Sequence, residues 1–362
     1  MKKNWKRHLF AACLCGCMLL PIAPPASAAE FAADITPDMT MKQLRRNPGI
    51  TAAGISTYDH MDGGNDYLRR KYENETLEEY VGSEKGADCA RSLNMAIENY
   101  DRGVQVIWQL YSPEEIAQNP ALGMVQLYYY PAQQPDAEYV LVVGGNAGID
   151  SGHLGEALAS AYQLHEQGFA VFSLRYRSCI DATDDAPLED AMRALKFIDD
   201  NAEHFGVRRE NYALLGYSSG GHILGLLASE SPKYGYRQLG VPAPAALLLA
   251  YPVNDFLEFK PVYSAYMDPY SLEDHYYWHT VSGEITANYP PTYLWCGRND
   301  NILKMLDWRR QVPAIEKALQ CKGVTHTAIY YDNAEHAVGV GQGTDAEGWI
   351  TDAVAFWRDQ CR

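Results

Sequence analysis

Tyr212-Ala213-Leu214-Leu215-Gly216-Tyr217-Ser218-Ser219-Gly220-Gly221-His222-Ile223-Leu224 is the stretch on which the fold turns. Four apolar residues run into a Gly-x-Ser-x-Gly pentapeptide, and a helical stretch over 221–229 follows. The pentapeptide alone is common, but between a buried strand and a helix it has a steric meaning. A tight strand-to-helix turn exposes the central serine, and small residues two places either side let neighbouring segments approach. The turn also aims the helix N-terminus at the hydroxyl. Ser218 is therefore the candidate nucleophile. Ser219 does not hold the central position, but its amide points where negative charge would develop.

Outward from this point, strands and helices alternate. Tyr139–Val143, Ala170–Leu174, Tyr212–Leu215, Ala245–Tyr251, Thr292–Cys296 and Thr327–Tyr331 are short, mostly apolar runs of the kind buried on both faces. Helical stretches are expected over 151–166, 188–204, 221–229, 304–320 and 346–358. Such alternation specifies an α/β fold with a mostly parallel sheet and helices on both faces. Alternating residues over 104–111 and 123–130 predict an antiparallel pair at one edge. Residues 29–103 are polar and rich in Asp, Asn, Gly and Tyr, and read as an N-terminal extension or cap. The α/β sheet region is then 104–362. Residues 254–290 interrupt the alternation with Tyr263, Tyr266, Tyr270, Tyr276, Tyr277 and Trp278. This insertion is either a lid or a packed-down surface excursion.

A serine hydroxyl needs a base to take its proton, and the base needs an orienting acid. Asp300 lies in the loop after the strand at 292–296, and His336 in the loop after the last strand. Both loops belong to the carboxyl edge of a parallel sheet, where functional groups gather. His326 precedes its strand and reads as structural. After the strand at 139–143 comes Gly144-Gly145-Asn146-Ala147-Gly148, whose glycines allow close backbone approach. The amides of Gly145 and Asn146 join that of Ser219 as candidate oxyanion donors. The Gly-x-Gly-x-x-Gly spacing of a dinucleotide site is absent.

Composition narrows the partners. The chain has 362 residues, 47% hydrophobic and 21% charged. Lys2, Lys3, Lys6 and Arg7, an apolar stretch from Leu9 to Ile22 and Ala26-Ser27-Ala28 read as a signal peptide over 1–28, which implies a secreted or periplasmic protein. Cys13 and Cys17 offer a lipoprotein alternative. No later apolar run is long enough to span a membrane, so no stable insertion is expected once the signal is removed. Without residues 1–28 the net charge is −20, against −16 for the whole chain, which disfavours nucleic acid as a partner. Five cysteines follow the signal, so at least one is a free thiol or bridges to another molecule; Cys321 and Cys361 are a candidate pair. No metal-ligand spacing occurs. Asp181, Asp184 and Asp185 lack the spacing of a calcium loop and read as solvated surface. Neither metal nor cofactor is expected.

The segments Tyr176-Arg177, Pro187-Leu188-Glu189-Asp190, Gly216 to His222, Leu249-Ala250-Tyr251-Pro252-Val253, Pro290-Pro291-Thr292-Tyr293-Leu294-Trp295 and Glu335-His336 together resemble the α/β-hydrolase esterase/lipase family, in its branch near acetyl-xylan esterases and feruloyl-esterase-like proteins. The resemblance runs from about residue 104 to the C-terminus. It implies a serine esterase for small acyl esters, with Ser218 as nucleophile, Asp300 as orienting acid and His336 as base. Two positions depart from the family pattern. Asn146 and Ala147 stand where a glycine and an aromatic residue are usual, and Ala337 stands where a glycine usually follows the histidine. Tyr176 and Arg177 read as scaffold. The Tyr-rich insertion suits sugars or aromatic groups better than long acyl chains, and Tyr217, Tyr270 and Trp278 are the expected substrate contacts. A prolyl-oligopeptidase-like peptidase would share the triad but carry a large extra domain. A non-catalytic binding protein on this fold would usually lack a triad member.

Overall fold

The computed structural model describes residues 34–57, 71–145, 151–178, 181–182, 185–259 and 279–362. Eight strands form one sheet: β1 (Ile107–Gln109), β2 (Gln126–Tyr130), β3 (Tyr139–Val143), β4 (Ala170–Arg175), β5 (Ala213–Tyr217), β6 (Ala246–Ala250), β7 (Thr292–Gly297) and β8 (His326–Tyr331). Their order is β1-β2-β4-β3-β5-β6-β7-β8. β1 pairs antiparallel with β2, and β2 with β4; every other pairing is parallel. Leu141, Leu214 and Leu247 stand side by side, and Val142, Leu215 and Leu248 form the next row, so the sheet centre is aliphatic on both faces. All residues of β3, β5 and β6 are buried, which is why they carry no polar alternation.

The six apolar runs all form strands, within two residues of the expected bounds. The edge strands are shorter than expected. Pro120 starts a 3₁₀ turn over Pro120–Met124, so β2 begins only at Gln126, and β1 keeps three residues. The helix expected over 304–320 is two, Asn301–Met305 and Val312–Lys322, with a 3₁₀ turn between them. Pro313 has no amide to donate and must sit in a first turn. The buried Gln311 amide donates to the Leu306 carbonyl at 2.7 Å and closes the earlier helix. The stretch expected over 188–204 likewise divides, into Ala186–Asp200 and Ala202–Phe205. Asn201 turns its side-chain amide back on the Phe197 carbonyl between them.

Before the sheet, Thr40 and Thr76 each close a capping box at the head of a short helix. The 19-residue helix Ser83–Asp101 follows. Its buried side, including Cys89, Leu93 and Ala96, belongs to the same apolar core as the sheet. The Ser92 hydroxyl donates to the Leu158 carbonyl at 2.5 Å and accepts from the Tyr162 amide, tying this helix to the segment after β3. At the far end, the Trp357 ring stacks on Phe169 and its indole donates to the Asn211 carbonyl.

Of the insertion, residues 254–259 and 279–290 are described. Its base is pinned by Asn254, whose amide donates to the Gln311 side chain and whose side-chain oxygen accepts from the Ser282 amide. Cys89, Cys296, Cys321 and Cys361 are free thiols, so the candidate pairing of Cys321 with Cys361 is not made. Among the described residues no helix is long and apolar enough to cross a membrane.

His153 lies in a wide helical turn over His153–Leu158, against the Tyr128 ring and the Ser173 hydroxyl. Burial first, and the Arg175 cation second, push its pKa from the ordinary 6.5 down to about 3. The unfolded chain therefore binds the extra proton throughout this window, and stability falls as pH drops from about 6.5 towards about 3. At pH 5 the loss reaches about 2 kcal/mol relative to neutral pH. Chemical unfolding of wild type and His153→Asn at pH 7.5 and 5 checks this. The variant, whatever its stability at neutral pH, loses less on acidification.

Candidate active site

The carboxyl edge of the parallel strands gathers the functional side chains. β5 ends at Tyr217, and the helix Ser218–Leu227 starts at the next residue with no intervening loop. That forces Ser218 to φ +49°, a left-handed conformation costly for a side chain with a Cβ. The approach of neighbours fits the small residues of the motif. A Cβ on Gly220 would stand 2.3 Å from the carbonyls of both Val143 and Gly144.

Ser218 Oγ lies 2.8 Å from His336 Nε2, and His336 Nδ1 lies 2.7 Å from Asp300 Oδ2. A carboxylate only accepts, so Nδ1 carries the proton and Nε2 is left to accept from the serine hydroxyl. Asp300 is fully buried and also caps its helix, Oδ1 accepting from the Leu303 amide at 2.8 Å. That second bond fixes the carboxylate plane facing His336. His326 bonds to none of these three residues; its Nδ1 meets the Val324 carbonyl. Burial pushes the Cys296 thiol up, so this neighbour stays protonated.

The loop after β3 is placed by Tyr176, whose hydroxyl donates to the Gly144 carbonyl at 2.9 Å. Here one expectation is corrected. The Gly145 amide donates to Glu156 Oε2 at 2.6 Å, so it is already occupied by a buried carboxylate. Asn146 lies outside the described residues. Ser219 stands in the first turn of its helix, fully buried. Tyr217 also departs from expectation. It is fully buried, with its ring against Trp349 and Tyr251, and so packs beneath the serine and away from any substrate. Tyr270 and Trp278 lie outside the described residues. Arg177 is scaffold: its guanidinium forks onto the fully buried Asp190, which also accepts from the Tyr111 hydroxyl at 2.6 Å. Asp185 pairs with Lys233 at 3.0 Å, and no cluster of metal ligands occurs among the described residues.

The sequence assigned no role to Glu156, Tyr251 or Lys85. Glu156 is buried and its pKa is raised by that burial, against the opposing pull of the Gly145 amide and the Lys85 cation. The Tyr251 hydroxyl donates to Glu156 Oε1 at 2.8 Å and accepts from the Gly339 amide at 2.9 Å. One carboxylate and one phenol thus join the loop after β3 to the loop that carries His336. An acidic residue amid Leu154, Ala157 and Leu158 was the available signal for Glu156.

A mostly parallel sheet with serine, acid and histidine in this order at its carboxyl edge defines an α/β-hydrolase. Residues 125–306, half of the chain, match the BD-FAE family, a span that includes Ser218 and Asp300 and ends before His336. The chain belongs to the BD-FAE family. Endo-1,4-beta-xylanase B of Butyrivibrio fibrisolvens is 22% identical over 222 residues, 58% of this chain; the match spans only 34% of that relative's length. Among solved structures, an acetyl ester-xyloside bifunctional hydrolase from Caldicellulosiruptor lactoaceticus has a TM-score of 0.56 at 19% identity, over 70% of this chain and 95% of its own. Carboxylesterase Cest-2923 from Lactobacillus plantarum WCFS1 gives 0.54 at 18%, over 66% and 92%. These structures share the α/β-hydrolase fold with this chain.

Proposed function

We propose that this protein is a secreted serine carboxylesterase acting on small acyl esters, with acetyl groups on carbohydrates as the natural class. The observation that carries the reading is the unbroken relay from Ser218 Oγ through His336 to the buried Asp300. His336 takes the serine proton as Ser218 attacks the ester carbonyl. The tetrahedral oxyanion is held by the Ser219 amide and the backbone at Asn146. Collapse breaks the bond to the alkoxy oxygen, and His336 returns the proton to the leaving alcohol. A water, deprotonated by the same histidine, then attacks the acyl-serine and releases the acid.

The carbohydrate assignment is supported by family membership and by the relatives, which include a xylanase and an acetyl ester-xyloside hydrolase. Tyr270 and Trp278 are proposed to supply flat faces for a sugar ring. The basic and apolar leader over 1–28 supports secretion. The deciding experiment is hydrolysis of p-nitrophenyl esters from acetate to decanoate, with acetylated xylan oligomers alongside. Acetate is expected to exceed decanoate by about 100-fold or more in kcat/KM, since even the first methylene or two that a pocket cannot seat cost about 1–3 kcal/mol each. Acetate release from the oligomers is expected too. A preference for decanoate, or inertness towards acetyl groups, overturns the reading.

A further inference from the structure

We propose that Lys85, on the helix ahead of the sheet, is a positioning residue: its ammonium holds the loop that carries His336 in register with Ser218. This rests on the esterase reading above and adds to it a working role for the N-terminal segment.

The starting observation is a buried lysine. Lys85 is only 7% exposed, a setting in which an ammonium is retained only with partners. Nζ donates to the carbonyl of Ala337 at 2.5 Å, the residue immediately after the histidine, and lies 3.3 Å from Glu84 Oε1. The stem lies against the same loop. A Cβ on Gly339 would stand 2.6 Å from Lys85 Cδ and 2.8 Å from Cγ. Lysine and loop thus meet at Ala337 and again at Gly339.

The loop needs such a hold. Ala337 adopts φ +62°, a left-handed conformation disfavoured for a residue with a Cβ. Strain of this kind persists only where surroundings fix the backbone. Gly339 is tied on both sides from within the sheet region, its amide to Tyr251 and its carbonyl to the Trp349 indole at 2.9 Å. Among the described residues, it is Lys85 that holds the carbonyl of the peptide next to His336. The 2.8 Å separation of His336 Nε2 from Ser218 Oγ must hold to within about 0.5 Å, and the lysine sets the backbone from which the imidazole projects.

The alternative is that Lys85 merely anchors its helix. Ser92 separates the two. It anchors the same helix two turns further on, to the Leu158 carbonyl and the Tyr162 amide. With p-nitrophenyl acetate, Lys85→Met is expected to lower kcat about tenfold with KM within twofold, because misplacing a catalytic group slows the step more than it weakens binding. Ser92→Ala is expected to lower the thermal midpoint while kcat stays within twofold. Gly339→Ala, whose methyl displaces the lysine stem and whose φ of +57° adds strain in the loop itself, should lower kcat at least comparably. It also carries the test should Lys85→Met not fold. Unchanged kcat in Lys85→Met, or in Gly339→Ala where that variant alone folds, overturns the proposal. An equal fall of kcat in Ser92→Ala does so as well. An inert wild type overturns the esterase reading and this inference with it; an active wild type with an unaffected Lys85→Met overturns this inference alone.

Discussion

Replacing Ser218 with alanine is expected to lower kcat/KM for p-nitrophenyl acetate by about 10⁵-fold, with the fold retained. The change removes one oxygen, whose hydrogen bond is to His336 Nε2. The packing lost is small, so the effect falls on chemistry. His336→Ala should cost about as much, because an unactivated hydroxyl is nearly as useless as none. The double variant should be no worse than either single one, since the groups act as a unit. Asp300→Asn should fall short of this, by about 10⁴-fold. Its oxygen can still accept from the Leu303 amide and keep the helix cap, but its amide nitrogen then faces Nδ1 and drives the proton to the wrong side of the ring. Steady-state kinetics, with circular dichroism for folding, checks all four proteins. A Ser218→Ala enzyme retaining more than about one per cent of wild-type activity would move the nucleophile elsewhere, Ser219 first, since far larger losses are usual.

The sequence made the strands readable because a strand buried on both faces has to be apolar throughout, as Tyr139–Val143 and Ala246–Ala250 are. The relay was readable because topology sends the exits of β5, β7 and β8 to one edge, and Ser218, Asp300 and His336 each follow an exit closely. The same reasoning failed where an outcome depended on contacts between distant segments. The Gly145 amide looked available in a Gly-rich loop, but Glu156, eleven residues on, reaches back to it. Tyr217 looked like a substrate contact beside the serine, yet its ring packs into the core against Tyr251 and Trp349. Lys85 stood in a polar extension with no motif around it. Its role follows from a contact spanning 252 positions of chain, which no local pattern encodes. Helix breaks at Asn201 and Gln311 were missed for a related reason, as each is closed by a side chain bonding to backbone.

Gly297→Ala is expected to lower kcat/KM by about 10²-fold or more and stability by about 3 kcal/mol. Gly297 is the last residue of β7 and pairs with Tyr331, the last of β8. Beyond that pair the two strands lead to Asp300 and His336 respectively, and they stay in contact through backbone. A Cβ at 297 would stand 1.6 Å from the Ala334 carbonyl oxygen. Ala334 is fully buried, so the carbonyl has no free side to move into. The Arg298 amide donates to the Tyr331 carbonyl at 2.7 Å and resists separation of the strands from below. The methyl is then accommodated by displacing the segment from 334 to 336, and the imidazole moves with it. Activity and stability should therefore fall together, unlike Ser218→Ala, where only activity falls. Urea unfolding and kcat/KM on the same preparation test the pairing. A variant with wild-type midpoint and activity would mean that the exits of β7 and β8 are further apart than the close approach at Gly297 requires. The short reach between Asp300 and His336 would then need another explanation, because this glycine is what lets the two loops meet.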